Sequence, residues 1–147
     1  MAKATLTSLA DRLDRLADGL DDEVKDAKVD TAMAVVGYLA QITPVDTSRA
    51  ISNWQGSVGT PSAPQRGPHS PGLRGSTKGA SVAATIAAAR AVFEAAPPNA
   101  DLFISNDLPY IRPLDAGSSK QHPGGFVAKS VLVGRSILRR RVWFRGR

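Results

Sequence analysis

Apolar residues at the start of the chain recur at alternating steps of three and four: Leu6, Leu9, Leu13, Leu16 and Leu20. That spacing places them on one face of a helix. Val24, Ala27, Val35, Leu39 and Ile42 continue the stripe less strictly. The opposite face mixes Asp, Arg and Lys. Asp11 with Arg15, and Asp21 with Lys25, stand at i,i+4 in the favourable order, each pair adding about 0.2–0.5 kcal/mol. Gly19 weakens the middle by about 1 kcal/mol and marks a possible bend. Pro44 pushes Thr43 toward extended geometry, so the helix should end near Gln41. A helix of roughly 36 residues reaches roughly 54 Å at ~1.5 Å per residue, more than a domain of this size is wide. Either it breaks, or one end projects and packs on a neighbouring subunit; projection is the expectation carried forward.

Beyond that helix the period changes. Ala50 to Val58 alternates imperfectly, with Trp54 and Val58 on one face, and reads as a strand. Residues 59–79 hold four prolines and five glycines and few apolar side chains, which predicts a long flexible loop, an arm for a partner to order. Ala80 to Ala96 is an Ala-rich helix with Val82, Ile86, Ala89 and Phe93 inward, stopped by Pro97-Pro98. Asp101 to Ser105 is a short strand, Asn106-Asp107 a turn, and Pro109 to Ala116 a short helix or turn. Phe126 to about Arg141 predicts a last helix with Phe126, Val127, Val131, Gly134 and Leu138 on one side; a strand over 126–133 is the competing assignment. The sum is a single α+β domain over residues 1–147. It has a long N-terminal helix, a small antiparallel sheet, two further helices packed on it, and a basic tail at 139–147.

Composition narrows the chemistry. The chain has 147 residues, 42% hydrophobic but only 5% aromatic, so its core must rest on Ala, Val, Leu and Ile. With no cysteine, disulfides, thiolate zinc sites and thiol nucleophiles are excluded. No secretory leader and no membrane span of about 18 apolar residues is expected. Residues 1–30 carry five basic and eight acidic groups, net −3, within a chain of net +6. From Lys129 onward there are seven Lys and Arg and no acid. One acidic end and one basic end suit head-to-tail contact between copies, or a tail that faces nucleic acid.

Constellations for catalysis are sparse. His69 and His122 lie in Pro/Gly-rich loops without metal-ligand spacing, no Gly-x-Ser-x-Gly elbow occurs, and Gly75-Ser76-Thr77-Lys78-Gly79 has phosphate-loop residues in the wrong order. No cofactor and no metal is expected. Arg135, Arg139, Arg140, Arg141, Arg145 and Arg147 surround Trp143 and Phe144, a set that could neutralise phosphates and stack on bases, or dock on an acidic protein surface.

Two segments are more distinctive. One is Thr43-Pro44-Val45-Asp46-Thr47-Ser48-Arg49-Ala50, running into Asn53-Trp54 and Gly59-Thr60-Pro61. The other is Ile104-Ser105-Asn106-Asp107-Leu108-Pro109-Tyr110, then Leu114-Asp115-Ala116-Gly117-Ser118-Ser119 and Gln121-His122-Pro123-Gly124-Gly125. Their order and spacing over roughly residues 30–135 resemble the neck or tail-component family of tailed bacteriophages, the minor tail protein Z-like and tail completion proteins. The departures are Ser48 where Gly is usual, Asp115 where Glu is common, and the Arg-rich end, which the shared pattern lacks. The resemblance implies a structural virion protein, assembled in the host bacterial cytoplasm and forming a hexameric ring at the head–tail junction. Its partners would be further copies, the head–tail connector and the tail terminator or tail tube, with DNA passing through the lumen. A tail-terminator subunit, or a DNA-binding packaging or regulatory factor, are the alternatives. Within the two segments Asp46, Arg49, Trp54, Tyr110 and Asp115 are the candidate interface residues. Asp46 is placed to form an Asx-turn two residues on and to pair with Arg49. A positive φ at Ser48 would be strained.

Overall fold

The computed structural model describes residues 6–141. The first helix, α1 (Leu6–Ile42), runs unbroken through Gly19 for 37 residues, or about 55 Å at ~1.5 Å per residue. Open space surrounds Gly19, so no neighbour bends the helix there. Its end is chemical: the Thr43 N–H and hydroxyl both donate to the Leu39 carbonyl (3.0 and 2.6 Å), and Pro44 has no N–H with which to continue. A short turn, α2 (Arg49–Ser52), follows, then strand β1 (Gln55–Val58), helix α3 (Lys78–Glu94), strand β2 (Leu102–Ser105), the single turn α4 (Ile111–Asp115) and the last helix α5 (Phe126–Arg140). The architecture is α+β, with a long first helix and a two-stranded antiparallel sheet against helices.

The predicted strand over 50–58 is half right. Its first part is helical because Ser52 and Asn53 turn their side chains back onto the Ser48 and Arg49 carbonyls (2.9 and 2.8 Å), closing a turn before β1 starts. Ser48 enters that turn at φ 65°, in the left-handed region where a Gly would be relaxed, and is held by a hydrogen bond with the Thr77 hydroxyl at 3.1 Å. β1 and β2 then pair with Gln55 opposite Ser105 and Val58 opposite Leu102. Gly56 admits the Phe93 ring: a Cβ there would sit 2.7 Å from it.

Three apolar clusters make the core. Val36 and Ala32 of α1 meet Ala89 and Phe93 of α3. Leu39 meets Trp54, Leu108, Ile111 and Phe126. Ala40 and Val45 meet Ile51 and Val82. α5 lies along α1 on part of the predicted face, through Phe126 and Gly134. Phe126, Ser130 and Gly134 are buried, whereas Val127, Val131 and Leu138 are exposed. Small residues win because Gly134 lets the helices approach: a Cβ there would stand 3.0 Å from Val35 and 3.2 Å from Thr31. The competing strand over 126–133 does not form. Loop 59–79 has little regular structure yet is stitched to its own chain. Asn53 exchanges two hydrogen bonds with the Arg66 backbone, Gln55 donates to Pro64 O, and the His69 N–H donates to the Ser52 hydroxyl.

Candidate functional site

The two distinctive segments converge. Gln121 presents its side-chain amide edge-on to Val45, accepting from the Val45 N–H at 2.9 Å and donating to the Val45 carbonyl at 2.8 Å. That clamp joins residues 76 apart in sequence and builds one wall of a cleft of about 290 Å³, lined by Pro44, Asp46, Ser48, Arg49, Tyr110 and Gln121 among others. Asp46, Arg49 and Tyr110 are thus brought together, with Tyr110 at the surface.

The predicted Asp46–Arg49 pair does not form. Asp46 instead holds loop 59–79: its carboxylate accepts from the Arg74 N–H at 2.9 Å and its carbonyl from the Gly75 N–H at 2.8 Å. The expected Asx-turn to residue 48 is displaced by this long-range bond. Arg49 reaches the same loop through Gln65 at 3.4 Å. Trp54 lies outside the cleft, 6% exposed, with its indole N–H on the Thr43 hydroxyl at 2.9 Å. Asp115 caps α5: its carboxylate accepts from the Val127 N–H at 3.0 Å, and its carbonyl from the Gly125 N–H at 2.6 Å. The close turn requires Gly124, whose added Cβ would meet Asp115 O at 2.5 Å.

A second surface lies on α1. Every side chain from Thr7 to Asp22 is exposed. Among them Leu9, Leu13, Leu16 and Leu20 are 52%, 57%, 70% and 43% accessible, an apolar seam facing solvent. Asp11, Asp14, Asp18 and Asp21 occupy the opposite side. Along the same face as the leucines, the next turns of α1 form the floor of a groove of about 790 Å³, walled by β2 and by Leu138 of α5. The Thr31 hydroxyl at this groove is the one buried side-chain polar atom without a hydrogen-bond partner among the described residues. Beside it α5 exposes Lys129, Arg135, Arg139 and Arg140. Arg141 pairs with Asp30 at 2.7 Å. Trp143, Arg145 and Arg147 lie outside the described residues.

Two residues that the sequence pattern did not single out organise these surfaces. Gln121 was visible only as part of a loop motif. Lys28, one more charge on a charged helix, sends its ammonium to the Pro98 and Ala100 carbonyls at 3.2 and 3.0 Å and ties the approach of β2 to α1. Partial burial first, and the Arg66 charge second, lower the pKa of His69 below the usual histidine value. Among the described residues no group of three or more His, Asp or Glu could hold a metal, and no helix is long and apolar enough to cross a membrane.

These features define a class by fold alone, an α+β chain with a long first helix, a two-stranded antiparallel sheet and an exposed apolar seam. No family model, curated protein or solved structure matches the chain.

Proposed function

We propose that this chain is a structural subunit of a phage neck, forming a ring, six-fold as the resemblance implies, between the head–tail connector and the tail. Its work is assembly and not catalysis, and its place is the virion. The observation that carries this reading is the arm of α1: sixteen consecutive exposed positions with a leucine seam along them. Exposed apolar surface of that continuity marks an interaction site. The charge distribution supports contact between unlike faces, since Thr7–Asp22 carries five acids against two bases and α5 exposes four bases and no acid. Unlike faces meeting head to tail generate rings when the rotation closes.

Replacing Arg139 and Arg140 by Glu, which leaves the Arg141–Asp30 pair intact, should abolish assembly of particles while the purified chain keeps its helical circular dichroism. Normal virions from that variant would refute the electrostatic contact. Electron microscopy of particles with the labelled protein decides the location: density away from the head–tail junction would refute the neck reading. The basic face of α5 also favours a second reading, a duplex-DNA-binding factor. A gel shift that weakens steeply with salt would support it, and no salt-dependent affinity would exclude it.

A further inference from the structure

The leucine seam and the groove belong to the same helix face. Leu9, Leu13, Leu16 and Leu20 are followed, at the same steps of three and four, by Val24, Ala27, Thr31 and Val35. The seam spans Leu9–Leu20 and the groove floor Val24–Val35, each about 16 Å at ~1.5 Å per residue. The walls supplied by Leu102, Ile104 and Leu138 are apolar as well. Because both surfaces lie on one continuous helix, a chain cannot fold its own seam into its own groove.

We propose that the groove is the receptor for the leucine seam of a second copy of this chain. Length and polarity match, and charge decides between the possible partners within the dimer. Two arms laid seam to seam would bring together two segments that each carry five acids and two bases. An arm in the groove instead runs beside α5, which exposes Lys129, Arg135, Arg139 and Arg140 and carries no acid, while Lys28 and Asp101 of the groove lining offset one another in charge. The contact deepens the assembly reading above by naming its partner surface, but it does not depend on the ring.

The absence of cysteine from the chain makes the test direct. Leu16→Cys and Asp101→Cys, the second an exposed position on the groove lining, are made singly in the full chain, mixed, and treated with a short bismaleimide. Leu138→Cys, 40% exposed on the opposite wall, serves in place of Asp101→Cys if that variant fails to fold. The expected result is a cross-link between the two different variants, in at least about tenfold excess over the Leu16→Cys homodimer. Adding Leu13→Asp to the Leu16→Cys chain should reduce it by at least about tenfold. A predominant Leu16→Cys homodimer would overturn the proposal in favour of a seam-to-seam coiled coil. No cross-link at any concentration up to about 1 mM would overturn it outright. An intramolecular link in an Asp101→Cys, Trp143→Cys chain that excludes the intermolecular product would give the groove to the chain's own C-terminal residues, and so also overturn it. The double variant Leu16→Cys, Asp101→Cys then separates the two readings. A ladder beyond two copies supports the ring as well as the groove contact. A product that stops at two copies refutes the ring and supports a reciprocal pair held by the groove contact.

Discussion

The two halves of α1 are written in the same alphabet and meet opposite fates. In the first, Leu9, Leu13, Leu16 and Leu20 stand in solvent; in the second, Ala32, Val36, Leu39 and Ala40 are almost wholly buried. Helical spacing is present in both, so it is not what separates them. The second half is covered by α3, α5 and β2, while every side chain from Thr7 to Asp22 is exposed. An amphipathic stripe states that a helix face needs covering. It does not state which molecule provides the cover.

That contrast is broken most forcefully by truncating one leucine on each side. Leu39→Ala should cost about 2–5 kcal/mol, because Leu39 is 3% exposed and its loss leaves a cavity against Trp54 and Phe126. Leu16→Ala should stay within about 0.5 kcal/mol in dilute urea melts of the monomer. Equal losses would mean that the arm is covered within its own chain. Gln121→Ala gives a smaller effect confined to the anchored side. It removes both bonds to Val45 and should cost about 1–2 kcal/mol, with faster amide exchange at Val45 and none of that acceleration in the arm.

Arg74→Gly tests the loop that the anchored half supports. Arg74 sits at φ 55°, and its backbone bond to Asp46 survives the change, so stability should rise by about 0.5 kcal/mol. The smallest effect is that of His69. Its folded-state pKa is lowered by partial burial and by Arg66, so the unfolded chain binds its proton more readily. Stability is therefore full above the unfolded value of 6.5 and is lost as pH falls below it. Because His69 stands largely at the surface, solvent screening keeps the slope shallow. Thermal melts from pH 8 to 5 should show it, and His69→Gln should remove it.

What could be read from the sequence was local. The 3.6 period announced α1 and α3, the Phe93 stripe was correctly placed, and Pro44 set the end of α1 to within a residue or so. What escaped was nonlocal. Asp46 has Arg49 close by in sequence, yet it bonds to the backbone 28 residues on, since the loop returns there. Phe126 and Gly134 of the expected α5 face are inward, but Val127, Val131 and Leu138 are not, because counting large apolar residues ignores how near two helices can come. Ser130 and Gly134 win that face by being small. Gathering Asp46, Arg49 and Tyr110 around one cleft follows from Gln121, whose partner is the Val45 backbone and so leaves no mark in side-chain patterns.

The pairing of α1 with α5 couples the first helix of the chain to the last, and Arg141 closes on Asp30 across 111 positions. On the ribosome the leucine arm emerges before α5, which supplies one wall of its receptor. By the proposed contact, a chain cut short before Phe126 would be a plug without a socket. It could enter a neighbour's groove but offer only an unfinished one to the next. On that proposal, small amounts of such fragments should poison assembly out of proportion to their number.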